Sequence, residues 1–180
     1  DTTGKRARNL ILIGFMGTGK TSVGMRVARS LGFRFVDTDK LVVKQAGQSI
    51  PKIFEEHGEA RFRDLETAAL RQCAEGEGQV ISTGGGVVVG EGNHALLRGA
   101  GYVVWLKASP EVIYERVRRN RGRPLLRTAD PLATIRDLLA AREELYASCA
   151  DLTIKTDHLT MDETCFGVTE SARLVFGGSA

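Results

Sequence analysis

The chain has 180 residues, enough to bury one hydrophobic core and short for two domains, so we expect a single domain over residues 1–180. Its composition, 42% hydrophobic and 26% charged residues, excludes a disordered or fibrous protein. The net charge of +3 is small, but six arginines fall between Arg116 and Arg127, and such a local excess requires an anion nearby. No apolar run reaches the roughly 20 residues of a membrane helix, and the three separated cysteines indicate neither a disulfide framework nor a zinc site. We expect a cytoplasmic monomer with neither a membrane nor a nucleic acid as partner.

Short apolar runs alternate with longer segments of helical period along the chain. The expected strands are Leu10–Ile13, Phe33–Val36, Val80–Ile81, Val103–Leu106 and Leu152–Ile154. The expected helices are Thr21–Leu31, Glu59–Ala74, Gly92–Arg98, Pro110–Arg119, Pro131–Ala150 and Met161–Val175. This alternation predicts an α/β fold in which helices cover both faces of a parallel sheet.

The first strand leads into a glycine-rich turn, GFMGTGKT, which matches the G-x-x-x-x-G-K-[ST] spacing of a phosphate-binding loop. Its glycines allow backbone N–H groups to curl around a phosphate, and the following helix points its positive end at the same place. Lys20 is expected to reach the terminal phosphates and Thr21 to offer its hydroxyl to Mg²⁺. A turn without a ligand is the alternative, which the full strand, loop and helix context disfavours. The expected nucleoside triphosphate contacts are Gly14, Met16, Gly17, Thr18, Gly19, Lys20, Thr21 and Ser22.

The second strand ends in VDTD, which places Asp37 and Asp39 at the edge where open α/β sheets bind ligands. Spacing of two directs both side chains to one side if the strand persists. One carboxylate is then suited to holding Mg²⁺, and the other to orienting or deprotonating an attacking hydroxyl. The alternative is a helix N-cap at Thr38 or Asp39.

The third strand ends in STGGG, where Gly84, Gly85 and Gly86 contribute no side chain to packing. Three glycines together favour a backbone segment that something approaches closely, such as a floor that contacts the substrate. A tight turn is the alternative explanation.

Two arginines interrupt or border apolar helix faces. Arg142 falls within the apolar stripe of its helix, and Arg63 lies one turn before Glu66, which breaks a second stripe. A buried arginine must be paired with a carboxylate or an anionic ligand. Two held arginines near paired aspartates suggest a small acceptor with a carboxylate and a hydroxyl, whereas two internal salt bridges are an equally good explanation.

The segment NRGRPLLRTADP, residues 120–131, has turn residues at both ends and no clear period, which indicates a lid. A nucleic-acid interface is a distant alternative for its arginines, because only 6% of the residues are aromatic.

GFMGTGKT, DTD, FRDLE, TGGG, RPLL and AREELY resemble the shikimate kinase family in order and spacing along nearly the whole chain. The resemblance implies a P-loop, nucleoside-monophosphate-kinase-like α/β/α fold of three layers, with a five-stranded parallel sheet in the order 2-3-1-4-5. It also implies transfer of the γ-phosphoryl of ATP to the 3-hydroxyl of shikimate, with Mg²⁺. A related kinase, such as a gluconate kinase, and a non-catalytic binding protein are the alternatives.

The resemblance also implies residue roles. Lys20, Asp39 and Arg123 would be catalytic, with Arg123 closing from the lid, and Thr21 and Asp37 would hold the metal. Shikimate would contact Asp39, Arg63, Gly84, Gly85, Gly86 and Arg142, with Glu66 supporting Arg63, and Arg116 would stack on adenine. The chain departs from the family at TIKTDHLTMD, which lacks the proline of many adenine loops and carries Lys155.

Overall fold

A computed structural model describes residues 9–119 and 127–177. The strands are β1 (Asn9–Ile13), β2 (Arg34–Asp37), β3 (Gln79–Ser82), β4 (Tyr102–Lys107) and β5 (Leu152–Lys155). All neighbouring strands pair in parallel, and their order is β2-β3-β1-β4-β5. The strand order expected from the resemblance is therefore confirmed.

The helices are α1 (Lys20–Leu31), α2 (Thr38–Ala46), α3 (Ile50–Ala74), α4 (Asn93–Ala100), α5 (Pro110–Val117), α6 (Pro131–Cys149) and α7 (Met161–Gly177). A short 3₁₀ turn covers Val87–Val89. Within the described ranges, none of these helices has the length and apolarity needed to cross a membrane.

The helices form a layer on each face of the sheet because successive strand residues face opposite sides. Leu10 and Leu12 of β1 pack with α1 and α7, whereas Ile11 and Ile13 pack with α3, α4 and α6. The β1 side chains are fully buried, as expected for a central parallel strand. The predicted three-layer α/β/α architecture is confirmed.

Two helix predictions need correction. The segment from Thr38 to Ala46 forms α2, which the sequence analysis considered only as a capping alternative. Helix α3 begins at Ile50 rather than at Glu59, but Gly58 interrupts it with φ 82° and ψ 172°. The predicted helix is thus the second half of α3, and it begins directly after the glycine because that backbone conformation is not helical.

The loops after β1, β2 and β3 lie together at the carboxyl edge of the sheet. Asp37 is paired with Ser82, and Thr83 donates from its N and Oγ1 to the carbonyl of Leu12 at 3.2 and 2.8 Å. Residues 120–126 of the predicted lid, including Arg123, lie outside the described residues. The described end of this segment leads into α6, where Asp130 caps the helix by accepting from Ala133 N at 3.1 Å.

Candidate active site

The turn between β1 and α1 has the backbone shape of an anion-binding loop. Gly17 and Gly19 have φ values of 75° and 89°, in the left-handed region that side chains disfavour. Gly19 caps α1 without a side-chain hydrogen bond, and the first turn of α1 carries no acidic residue. The first N–H groups of α1 therefore retain their capacity to bind an anion.

Lys20 lies over this loop with only 8% of its surface exposed. Its Nζ donates to the carbonyls of Gly14 and Phe15 at 2.6 and 2.8 Å. A protonated amine in contact with two neutral carbonyls can exchange them for phosphate oxygens, which make stronger, charge-assisted hydrogen bonds. Lys20 is thus placed to move from the loop onto a bound phosphate.

A polar cleft of about 260 Å³ joins the loop to the ends of β2 and β3. Its lining residues are Met16, Gly17, Gly19, Lys20, Thr21, Ser22, Asp37, Asp39, Ser82, Thr83 and Gly85. The structure therefore brings most of the phosphate-binding candidates, both aspartates and Gly85 of the glycine segment to one space, although they are distant in the sequence.

The two aspartates are presented differently from the sequence expectation. Strand β2 ends at Asp37, so the premise that the strand continues through Asp39 is wrong. Asp37 is the N-cap of α2, and its Oδ1 accepts from the backbone N of Asp39 and Lys40 at 2.9 and 3.3 Å. Capping was thus a valid alternative, but it falls on Asp37 rather than on Thr38 or Asp39. Both carboxylates still line the cleft because the chain turns into a helix at this point.

Thr21 and Asp37 are the residues suited to a metal ion. Thr21 is exposed, and both residues line the same cleft. Capping uses Oδ1 of Asp37, so its other oxygen is the one suited to a metal or its bound water. A hydroxyl with one carboxylate matches Mg²⁺, which takes few protein oxygens and completes its coordination with water and phosphate.

Arg63 and Glu66 form an ion pair on α3, as the sequence analysis proposed. Nη1 of Arg63 lies 2.9 Å from Oε1 of Glu66, and Nη2 lies 3.4 Å from Oε1 of Glu59. The Glu66 side chain is only 1% exposed, and burial raises its pKa, with Arg63 opposing and Asp39 adding to the shift. Nε of Arg63 and Oε2 of Glu66 are buried without a hydrogen-bond partner among the described residues. Buried polar atoms without partners favour a site that a polar ligand completes.

Each glycine of the TGGG segment faces a specific protein group. A Cβ on Gly84 would lie 2.7 Å from Oδ1 of Asp39 and 2.8 Å from Oε2 of Glu66. A Cβ on Gly85 would lie 3.1 Å from the backbone N of Met16, and a Cβ on Gly86 would lie 2.5 Å from Nη1 of Arg63. The close approach predicted for this segment is made by side chains of the site and by the phosphate-binding loop. The three glycines leave space for these groups rather than allow a left-handed backbone, since none of the three has a positive φ.

Arg142 differs from Arg63 in its partners. It is half-buried on α6, with its guanidinium carbon 5.6 Å from the ring centroid of Phe15. Among the described residues, no carboxylate lies within ion-pair distance of it, although its charge lowers the pKa of Glu66. The alternative of two internal salt bridges thus holds for Arg63 and not for Arg142.

A second cleft of about 130 Å³ lies beside Arg116. Nη1 of Arg116 donates to the carbonyl of Gly17 at 3.3 Å and to Oγ1 of Thr156 at 3.5 Å. The cleft is lined by Gly17, Thr18, Gly19, Val23, Arg116, Thr156, Leu159, Met161 and Thr164. The segment that departs from the family pattern therefore supplies one wall, while Lys155 is exposed at the end of β5.

Tyr146 lies on the same apolar stripe of α6 that Arg142 interrupts, and its polar contact was not predicted from the sequence. Its side chain is buried, and its hydroxyl donates to the carbonyl of Gly85. The sequence did contain a signal for this contact: a tyrosine lies one helical turn after an arginine on an apolar stripe, and buried tyrosine hydroxyls find hydrogen-bond partners.

Comparison with known proteins places the chain in a family. The family model for shikimate kinase matches residues 16–173. A shikimate kinase of Caldanaerobacter subterraneus subsp. tengcongensis is 49% identical over 156 residues, which are 87% of this chain and 91% of that protein. The solved structure of shikimate kinase from Acinetobacter baumannii in complex with shikimate has a TM-score of 0.87 and 33% identity, with 99% of each chain covered.

A gluconokinase from Sinorhizobium meliloti has a TM-score of 0.55 and 18% identity, with 98% of this chain and 99% of that chain covered. That likeness extends to the fold alone. Because the shikimate kinase model spans nearly the whole chain and the relatives match over most of their length, this chain belongs to the shikimate kinase family.

Proposed function

We propose that this protein transfers the γ-phosphoryl of ATP to the 3-hydroxyl of shikimate, giving shikimate 3-phosphate and ADP. One observation carries the proposal: the phosphate-binding loop shares a cleft with Asp39, and Asp39 lies next to Glu66, which holds Arg63. A phosphate donor and a hydroxyl acceptor with a carboxylate would meet in this space. The family and its curated relatives support the same activity.

ATP would bind with its phosphates along the loop and the first turn of α1. Lys20 would leave the carbonyls of Gly14 and Phe15 for the terminal phosphates, where positive charge stabilises the transferring group. The cleft beside Arg116 would receive the adenine, because a guanidinium stacks on planar rings and Leu159 and Met161 supply apolar contact. We expect Arg123 to close over the phosphate, a role that falls outside the described residues.

Mg²⁺ fits the hydroxyl of Thr21 and the carboxylate of Asp37, which line one cleft. When bound, the ion would neutralise phosphate charge and orient the phosphates. Asp37 would keep its capping hydrogen bonds through Oδ1, so that metal binding would not unwind α2.

Shikimate would bind between Arg142, Arg63 and the glycine segment. Arg142 offers a planar fork that no carboxylate of the described residues occupies, so we assign it the main contact with the shikimate carboxylate. Arg63 keeps Nη1 on Glu66, and its buried Nε is the donor that still lacks a partner among the described residues. The two arginines thus differ in what fixes their side chains: carboxylates of α3 hold Arg63 in place, whereas the bound ligand would be the anionic partner of Arg142.

Asp39 would orient the 3-hydroxyl and accept its proton as the oxygen attacks the γ-phosphorus. The new bond joins the shikimate oxygen to the γ-phosphorus, the bond from that phosphorus to the bridging oxygen breaks, and ADP leaves with the electron pair. Glu66 lies next to Asp39, and its burial, which raises its pKa, makes a second negative charge there costly. This cost favours the binding of a cation or a proton beside the two carboxyl groups.

The test is a coupled assay of ADP release with shikimate, quinate, gluconate or no acceptor, followed by phosphorus NMR of the product. We expect rapid turnover with shikimate, far slower turnover with the other two, and a product whose phosphoester lies at the 3-position. Comparable turnover with gluconate would favour the related kinase instead. Binding of shikimate and ATP without turnover would favour a non-catalytic protein.

We further propose that the protein acts as a monomer, because the packing of one chain is enough to bring the phosphate-binding loop and both aspartates into one cleft beside the Arg63–Glu66 pair. Sedimentation of the protein with and without shikimate and ATP tests this, and a dimer as the only active species would contradict it.

A further inference from the structure

Tyr146 is a buried polar side chain that the mechanism has not used. It lies on α6 one turn after Arg142, and none of its side chain is exposed. Its ring stacks on Trp105 of β4, with centroids 5.4 Å apart and an interplanar angle of 23°. An apolar ring would fill this space equally well, so packing alone does not explain the hydroxyl.

The hydroxyl is directed at the glycine segment that borders the cleft. It donates to the carbonyl of Gly85, the central residue of the TGGG segment. Burial raises the pKa of Tyr146 to about 12, and the nearby Arg142 guanidinium opposes that shift. The phenol therefore stays protonated and remains a donor at neutral pH.

Gly85 is held from two sides. On one side its Cα lies so close to the phosphate-binding loop that a Cβ would be 3.1 Å from the backbone N of Met16. On the other side its carbonyl accepts from Tyr146. Its neighbours Gly84 and Gly86 contact Asp39 and Arg63, so a shift of Gly85 would move the groups assigned to the acceptor.

We propose that Tyr146 is a positioning residue for the acceptor: its hydroxyl ties the Gly84–Gly86 segment to the helix that carries Arg142. Without that hydrogen bond, the distance between the glycine segment and Arg142 would no longer be fixed. The phosphate-binding loop is built from other contacts, namely those of Lys20 and of Thr18, whose Oγ1 donates to Phe15 O at 2.8 Å. Acceptor binding, and not ATP binding, should therefore depend on the hydroxyl.

The test is Tyr146→Phe, which removes only the hydroxyl and keeps the stacked ring. We expect the KM for shikimate to rise about 3- to 10-fold, the effect of losing one hydrogen bond, while the KM for ATP changes less than about twofold. Tyr102→Phe is the matched control, because Tyr102 is half-buried at the amino end of β4, opposite the site, and should change neither KM.

Trp105→Phe separates positioning from packing. It removes part of the ring that stacks on Tyr146 but keeps the hydroxyl, so we expect a lower melting temperature with a shikimate KM near that of the unmodified enzyme. A wild-type shikimate KM in Tyr146→Phe would overturn the proposal. The proposal would also be overturned if the KM for shikimate and the KM for ATP rose equally, and did so in both Tyr146→Phe and Trp105→Phe, because that pattern indicates packing alone.

A second measurement, which leaves Tyr146 in place, tests the proposal even if the Tyr146→Phe protein misfolds. The protein has three tyrosines, so 3-fluorotyrosine labelling gives three fluorine resonances, which Tyr102→Phe and Tyr114→Phe assign by elimination. The resonance of residue 146 should shift when shikimate is added without nucleotide, and an unmoved resonance at saturating shikimate would refute the contact with the acceptor site.

This inference rests on the proposed function, because shikimate is its probe. If the unmodified enzyme does not phosphorylate shikimate, the proposed function fails. If it does, and Tyr146→Phe has the same shikimate KM, only the role of Tyr146 fails.

Discussion

Replacing Arg142 with lysine separates a ligand-binding arginine from a structural one. The change keeps the positive charge but removes the planar fork that binds a carboxylate through two parallel N–H groups. If Arg142 binds the shikimate carboxylate, the lost charged hydrogen bond costs about 1.5–3 kcal/mol, which raises the shikimate Kd about 10- to 100-fold.

The cost to folding should be much smaller. Arg142 is half-buried, and among the described residues its guanidinium carbon lies 5.6 Å from the ring centroid of Phe15 and its side chain lies close to the hydroxyl of Tyr146. A cation and an aromatic ring at an accessible position contribute about 0.5–1 kcal/mol, and lysine retains part of that interaction. The free energy of unfolding without ligand should therefore fall by less than about 1 kcal/mol.

Both quantities can be measured on the same sample, with calorimetric titration of shikimate and urea unfolding without ligand. Arg136→Lys is the matched control, because Arg136 lies on the same helix but is exposed and paired with Glu111 at 2.7 Å. It should leave the shikimate Kd unchanged. An Arg142→Lys protein that is clearly destabilised and binds shikimate normally would refute the assignment of Arg142 to the carboxylate.

Three further substitutions test other parts of the site. Lys20→Ala should lower kcat by about 10²–10³-fold in the coupled assay with a normal circular dichroism spectrum, and near-normal turnover would contradict the role of Lys20. Gly86→Ala places a Cβ 2.5 Å from Nη1 of Arg63, so we expect steady-state kinetics to show a shikimate KM raised by about tenfold or more and an unchanged ATP KM. For Glu66, burial raises the pKa above its ordinary value of 4.5, so the folded state binds more protons than the unfolded chain over the interval between the two values. The stability of the unmodified protein relative to Glu66→Gln should therefore fall as pH rises from about 4.5 through the raised pKa, and urea unfolding from pH 4 to 8 that gives a constant difference would contradict this.

The phosphate-binding loop could be predicted from the sequence because its chemistry is carried by adjacent residues. The left-handed backbone of Gly17 and Gly19 and the amine of Lys20 act within one turn and one helix end, so their spacing is enough to identify them. The alternation of apolar runs likewise predicted the class of fold, because a parallel sheet buried on both faces needs continuous apolar strands. The exact start of α3 was missed, since Gly58 interrupts a helix that begins earlier.

The pairing of charges was decided by tertiary structure. From the sequence, an internal ion pair was an equally good explanation for Arg63 and for Arg142. In the structure α3 presents Glu66 and Glu59 to Arg63, whereas the described part of the chain places no carboxylate within ion-pair distance of Arg142. The glycines of the TGGG segment were also ambiguous, because the groups that require their space come from distant parts of the chain. Backbone propensity and periodicity are local, whereas the energy of a buried charge depends on which atoms the folded chain brings within a few ångströms of it. The local pattern of this protein therefore identified a nucleotide site, and the packing of α3, α6 and the glycine segment against one another determined how an acceptor can be held beside it.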